Sequence, residues 1–190
     1  KFKAQIMPSK AELRQLMRQR QRGCTQDAAE LAGVQLLEQM LPLLQSVKNV
    51  AVYYAINGEI SLNSLMKYCL SNEIKLYAPV ALRSSRLMRF EEVTSVEFRD
   101  VFYPQDYELV TEIKWYNLDL VILPILAVDA AGYRLGQGGG YYDATFEPRT
   151  IKPLLCGVGY HWQLYQQLTH DSWDLKLEYF ASEQELMKVM

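Results

Sequence analysis

The stretch "LDLVILPI", residues 118–125, carries Leu118, Leu120, Val121, Ile122 and Leu123 with no alternation of apolar and polar positions. A strand with one wet face alternates with period two, so an unbroken run belongs to a strand covered on both faces. With the three residues that follow it is still well short of the ~20 needed to cross a bilayer, and Asp119 and Asp129 interrupt it. "NVAVYYA" (49–55) and "PLLCGVGY" (153–160) have the same character, and "KLYAPV" and "LKLEYF" read as further strands. Helical segments separate them. "SKAELRQLMRQRQ" opens with a capping box, Ser9 and Glu12, and carries an apolar stripe of Leu13, Leu16 and Met17. "DAAELAGVQLLEQML" reads as a second helix stopped near Pro42, and Ser61–Leu70 as a third with Leu62, Leu65, Met66 and Cys69 inward. "WQLYQQL" reads as a helix, residues from Tyr141 onward as the start of another, and Ser182 with Glu185 as the cap of a terminal one. Between 83 and 116 only short strand-like pieces, "RLMRF" and "SVEF", stand out.

Strands alternating with helices, several of them apolar throughout, imply an α/β chain with a parallel sheet covered on both faces. The 190 residues suit a single domain over 1–190, and 49% hydrophobic with 22% charged residues fits a soluble globular protein. A net charge of -2 gives no reason to expect a nucleic-acid or membrane surface, so any anion site must be local. Cys24, Cys69 and Cys156 form no C-x-x-C, and His161 and His170 offer no zinc spacing, which reads as reduced thiols of a cytoplasmic protein. The opening "KFKAQIMPSK" has charge without the apolar core of a secretory leader.

Ligands of such sheets bind beyond the carboxyl ends of the strands. Two loops should share that edge: "INGE", and "RLGQGGGYYD" (134–143), which holds four of the chain's ten glycines. The second is not a P-loop, because no lysine lies within it. It is not a dinucleotide fingerprint either, since G-x-G-x-x ends on Tyr141. A backbone nest remains, in which amides of Gly136–Gly140 turn inward onto phosphate oxygens. Arg134 would add a bidentate cation, and Asp143 an oxygen ligand for the Mg²⁺ that accompanies a nucleotide. The plain alternative is a surface turn with Tyr141 and Tyr142 as packing aromatics.

"RLGQGGGYYD" resembles the signature R-x-G-x-G-x-G-[YF]-Y-D of the 5-formyltetrahydrofolate cyclo-ligases, also called methenyltetrahydrofolate synthetases. "KAELRQLMRQRQ" is similar to the family's K-x-x-x-R helix, "VYYAINGEISLNSL" to its strand–loop–Glu segment, and "LDLVILPILAVDAAGYRLG" to the strand leading into the signature. "CGVGYHWQL" and "DSWDLKL" resemble its carboxyl-terminal pieces, so the likeness spans nearly the whole chain and is weakest between about 83 and 116.

The resemblance implies a three-layer α/β/α sandwich with a mainly parallel sheet, of the NagB/RpiA/CoA-transferase type. It implies ATP- and Mg²⁺-dependent closure of 5-formyltetrahydrofolate to 5,10-methenyltetrahydrofolate: the formyl oxygen takes the γ-phosphate, N10 captures the resulting iminium phosphate, and phosphate departs. Carried over residue by residue, Lys10 and Arg14 would contact ATP phosphates, as i and i+4 on one helix face allow. Read alone they are a solvated basic face, since Arg18, Arg20 and Arg22 follow. Tyr54 and Glu59 match folate-binding positions. Arg134, Leu135, Gly136, Gln137, Gly138, Gly139, Gly140, Tyr141 and Tyr142 match the nucleotide loop, with Arg134 and Tyr142 at the chemistry and Tyr141 also bordering the folate. Asp143 and Asp174 match metal-associated aspartates. The chain departs from common versions at Gly139, at Ala144 and in "LEYFASEQE". A monomer with a small-molecule substrate is the expected state. A non-catalytic nucleotide- or folate-binding module, or an ATP-dependent enzyme acting on another formamide, would share the fold.

Overall fold

The computed structural model describes residues 8–82, 84–99, 101–103 and 108–189. The reading of the first residues as no leader lies largely outside them. In chain order, α1 (Lys10–Arg22) and α2 (Gln26–Leu44) precede β1 (Asn49–Ala51), α3 (Asn63–Ser71), β2 (Lys75–Leu82) and β3 (Met88–Val93). Two short strands, β4 (Phe102–Tyr103) and β5 (Glu112–Ile113), lead to β6 (Leu120–Pro124), β7 (Ala127–Asp129) and β8 (Arg134–Leu135). Then come α4 (Tyr141–Phe146), β9 (Leu154–Val158), β10 (Leu164–Tyr165), β11 (Tyr179–Ala181) and β12 (Leu186–Lys188).

The main sheet runs β12-β11-β9-β6-β1-β2-β3-β5, with β4 beside β2. Its five central strands, β11 to β2, are mutually parallel, and β12, β3 and β5 pair antiparallel at the two sides. The apolar run at 118–125 places β6 between β9 and β1, registered Ile122↔Cys156 and Val50↔Leu120. Leu120 and Ile122 face one core with α2 and α3, while Val121 and Leu123 face another with Phe146 of α4 and Phe180. Every residue from Leu120 to Leu123 is thus buried, which is why the run cannot alternate. Burying a side chain of this kind is worth ~1.5–3 kcal/mol, so β6 anchors both cores. A small second sheet, β10-β7-β8, carries α1 through Leu13 and Met17 packed on Leu126, Ala127 and Leu135.

Several sequence expectations need correction. Leu16 is exposed: α1 buries only the i, i+4, i+8 line Leu13, Met17 and Gln21. Pro42 lies inside α2, whose last turn continues because Leu43 and Leu44 bury and Gln45 N–H still reaches the Leu41 carbonyl. "WQLYQQL" gives a single 3₁₀ turn and then β10, because Gln163 turns inward to donate to the carbonyls of Ile125 and Leu126. Ser182 and Glu185 close the β11–β12 hairpin instead of starting a helix: Ser182 Oγ accepts from Gln184 and Glu185 N–H, and the chain returns as a strand. "SVEF" is not a strand, whereas "RLMRF" leads into β3.

Candidate active site

Because β1, β6 and β9 are parallel, the loops after them emerge at one edge. After β1, Ile56–Glu59 turn back, with the Glu59 N–H donating to the Ile56 carbonyl at 3.0 Å. Asn57 (φ 53°) and Gly58 (φ 80°) both occupy left-handed backbone, the geometry an Asn-Gly pair favours. Gly58 lies so close to the Gln21 carbonyl that no Cβ fits there, which seats this loop on the end of α1. Glu59 is buried, with Oε2 accepting from Ile56 N–H at 3.1 Å. Burial pushes its carboxyl up to about 7, against the opposing effects of that N–H and of the nearby Gln137 side chain. Around Glu59 opens a cavity of about 420 Å³, within the usual range for small-molecule sites, lined among others by Tyr53, Tyr54, Asn63, Val96 and Phe98. The Tyr54 ring meets Phe98 edge-on at 5.7 Å.

The glycine-rich loop leaves β8 and enters α4. Gly138 (φ 97°) and Gly140 (φ 72°) hold positive φ, which a side chain would strain. Two arginines of α1 grip its carbonyls: Arg14 Nε donates to Gly136 O at 3.0 Å, and Arg18 Nη2 to Gln137 O at 2.6 Å. With those carbonyls drawn toward α1, the N–H groups of the same peptide units point the other way. Among the described residues, no main-chain N–H from Gly136 to Asp143 donates to a protein acceptor. Of this row of donors, the Gln137 and Gly138 N–H groups therefore face away from α1, in an exposed loop.

Cations surround that row. The Arg134 side chain is buried, bonds Asp143 Oδ1 through Nη2 at 3.2 Å, and has no partner for its buried Nε among the described residues. Asp143 Oδ1 also accepts Leu175 N–H, bringing Asp174 alongside. Lys10 donates to Asp171 at 2.6 Å and to Asp174 at 2.7 Å. Burial lowers the Lys10 ammonium, but these two carboxylates outweigh it and hold it above its ordinary value. Asp174 is held below the usual range: burial opposes this, and Lys10 and the Asp171 N–H prevail.

The structure thus gathers Lys10, Arg14, Arg134, Asp143 and Asp174 around Gly136–Gly140, and places Tyr54 and Glu59 in the adjoining cavity. Tyr142 packs on the second core and stacks with Phe146. Burial raises its hydroxyl first, Glu59 raises it further, and Arg134 opposes. Tyr141 turns to the second core and meets Phe102 edge-on at 5.6 Å. Leu135 is a core residue beneath the loop. The basic face of α1 is not simply solvated, since Lys10, Arg14 and Arg18 all bind defined partners. Sequence reasoning passed over Arg18, Tyr53, Tyr160 and Phe98. Arg18 continues the i, i+4 spacing of Lys10 and Arg14, a signal that was there to use. Phe98 lies in a stretch without periodicity and offered none.

Residues 6–182 match the model of the 5-formyltetrahydrofolate cyclo-ligase family. The chain is 26% identical to the 5-formyltetrahydrofolate cyclo-ligase of Escherichia coli K12 over 178 residues, 85% of this chain and 93% of that protein. Against the enzyme of the same name from Haemophilus influenzae the identity is 27% over 139 residues, 70% of this chain and 74% of that one. Among solved structures, the 5,10-methenyltetrahydrofolate synthetase of Aquifex aeolicus superposes with a TM-score of 0.76 at 26% identity, covering 95% of this chain and 92% of that one. That of Mycoplasma pneumoniae gives 0.76 at 19% identity over 93% and 99%, a likeness of fold.

Proposed function

The chain belongs to the 5-formyltetrahydrofolate cyclo-ligase family, and on that premise we propose that it closes 5-formyltetrahydrofolate to 5,10-methenyltetrahydrofolate with ATP and Mg²⁺, releasing ADP and phosphate. One observation carries this reading: the N–H groups of Gln137 and Gly138 turn away from α1 in a loop set among cations, and a cavity with a buried carboxyl opens against the same helix end, so a polyanion and a heterocycle can meet.

When bound, ATP supplies the electrophilic phosphorus that turns the formyl oxygen into a leaving group, and Mg²⁺ neutralises phosphate charge. The protein's own task is to bind, orient and neutralise. The loop amides would cradle the phosphates, Arg14, whose Nε holds the Gly136 carbonyl, would reach a phosphate at the loop's edge with the rest of its guanidinium, and Lys10 would exchange part of its contact with Asp171 and Asp174 for a phosphate oxygen. Arg134 has its buried Nε available for the charge that develops in transfer. Asp143 and Asp174 suit Mg²⁺, which takes one or two carboxylates and completes its shell with water and phosphate. Glu59 accepts from the N–H edge of the pterin, Tyr54 lines the cavity beside it, and the Tyr142 hydroxyl, kept neutral, borders the reacting groups. Tyr141 supports the loop from its far side. In this reading the chain is one cyclo-ligase domain over residues 1–190, a three-layer α/β/α sandwich of the NagB/RpiA/CoA-transferase type, cytoplasmic and monomeric. The helix pair α2–α3 on one face and α4 on the other support the layering.

Mixing the pure protein with 5-formyltetrahydrofolate and Mg-ATP tests the proposal through the near-ultraviolet absorption of the methenyl product. Product that appears only with ATP is the expected result. Binding of both ligands without product would replace it with a non-catalytic binding module.

A further inference from the structure

Among the described residues, three arginines reach alternate glycines of the loop. A Cβ placed on Gly136 would meet Arg134 Nη1 at 3.4 Å, one on Gly138 would meet Arg14 Nε at 3.6 Å, and one on Gly140 would meet Arg86 Nη1 at 3.8 Å. The first two arginines already have acceptors in the protein, Asp143 for Arg134 and the Gly136 carbonyl for Arg14. Arg86 differs. It is exposed, and among the described residues no carboxylate pairs with its guanidinium and no hydrogen bond holds it. Its neighbour on the same hairpin, Arg89, is by contrast bound to Glu112 at 3.1 and 2.6 Å. The turn between β2 and β3 that carries Arg86 is anchored. Ser85 N–H donates to the Leu82 carbonyl at 3.1 Å, and Ser85 Oγ accepts Leu87 N–H at 3.0 Å. Met88 N–H then donates to the buried Thr145 Oγ1 at 2.9 Å, and Phe90 packs on Phe146 with ring centroids 5.9 Å apart. Thr145 and Phe146 belong to α4, so the helix that follows the glycine loop also fixes the turn beside it. A side chain on an anchored turn gives up less freedom on binding than one on a loose segment.

We propose that Arg86 is a further nucleotide-binding residue, whose free guanidinium takes a phosphate of the polyphosphate seated on the glycine loop. This rests on the nucleotide half of the cyclo-ligase reading and not on the folate chemistry. A guanidinium offers paired N–H donors in a planar fork that matches two oxygens of one phosphate. Arg86 forms that contact by giving up water alone, whereas Lys10 must first loosen its hold on Asp171 and Asp174. Three elements then share one polyanion: α1 through Arg14, β8 through Arg134, and the β2–β3 turn through Arg86.

Calorimetric titration of the whole protein with inorganic tripolyphosphate and Mg²⁺ reads this contact without folate and without turnover. Arg86→Ala weakens binding roughly tenfold, the scale of a hydrogen bond to a charged group. Arg86→Lys keeps the charge and loses the fork, so it recovers part of the loss. Arg89→Gln removes an equal charge from the same hairpin, away from the loop, and binds as the wild type does. In turnover, Arg86→Ala raises the KM for ATP by a similar factor and leaves the KM for the folate nearly unchanged. Unchanged tripolyphosphate affinity in Arg86→Ala overturns the proposal. An equal loss in Arg89→Gln overturns it as well, because the effect would then be one of overall charge. A rise confined to the KM for the folate overturns it by assigning Arg86 to a carboxylate of that substrate. Wild-type protein that binds tripolyphosphate and forms no methenyl product sinks the reaction assigned above, and the titration of Arg86→Ala alone then decides the contact. Wild-type protein that does not bind tripolyphosphate overturns both.

Discussion

Glu59 shows how one residue couples burial to chemistry. Its folded carboxyl sits near 7, above the 4.5 of an exposed glutamate, so the folded state holds the proton more tightly than the unfolded chain. The stabilisation from that proton is complete below about pH 4.5 and is lost as pH rises through 7. Glu59→Gln cannot ionise, so its unfolding free energy should exceed that of the wild type at pH 8 by up to ~3 kcal/mol, the scale of a shift of two to three units. The gap should close toward pH 5. Urea unfolding at both pH values measures it, and an equal gap at both would show that burial of charge is not the cause. The same substitution should weaken folate binding while leaving ATP binding nearly intact. Arg134 is the second such residue: a buried guanidinium with an unused Nε. Arg134→Ala should lower turnover by roughly 10²–10³, as for loss of one preorganised donor, with a smaller effect on either KM. Steady-state kinetics decide, and unchanged turnover would remove Arg134 from the chemistry.

Elements differ in how far the sequence foretells them. The unbroken apolar run of β6 announces its own place, because a strand buried on both faces has no other composition. The Ser9–Glu12 box marks α1 equally well, since both reciprocal hydrogen bonds form. The Ser182–Glu185 pair has the same spelling and closes a hairpin, because local hydrogen bonds of serine serve turns and helix starts alike. "WQLYQQL" has helical spacing, and only the three-dimensional demand of two buried carbonyls on Gln163 overrides it. For the candidate site, the glycine loop was visible as composition, but the direction of its amides was not. That direction depends on Arg14 and Arg18, more than a hundred residues away in the chain. Gly138 tests the loop as an element. Its φ of 97° would cost a side chain ~1–3 kcal/mol of strain. Because the loop is exposed, Gly138→Ala can relieve that strain by shifting the loop, so the melting temperature should barely move while the KM for ATP rises several-fold. A drop in melting temperature of several degrees with an unchanged KM for ATP would mean that the loop is structural.

At the scale of the molecule, the parallel sheet delivers the Glu59 loop after β1, the small second sheet delivers the glycine loop after β8, and α1 touches both. That helix is held differently from the rest. Its apolar contact is the small third cluster with Leu126, Ala127, Leu135 and Leu168, whereas α2 and α3 share the large core of the main sheet. Its other ties include ionic and polar ones, Lys10 to Asp171 and Asp174 and Arg14 and Arg18 to the loop, beside the Arg20 guanidinium over Trp162 and the buried Gln21 near its end. Exposed and half-exposed pairs of this kind contribute little by themselves. In the absence of ligand, α1 should accordingly be among the first elements to open, and its amides should exchange faster than those of β6. A polyphosphate bound between Lys10, Arg14 and the loop amides adds attachments that only the docked helix can make. At a Mg-ATP concentration about a hundred times its dissociation constant, the linkage is worth ~2.7 kcal/mol. For a chain of this size that corresponds to a rise in melting temperature of roughly 5–11 °C. Adenosine at the same concentration should give almost none, because it lacks the groups the cations would hold. Hydrogen exchange should localise the gain to α1 and to residues 134–143. Protection spread evenly over the main sheet, or an equal rise with adenosine, would mean that the nucleotide binds through its base, away from the glycine loop.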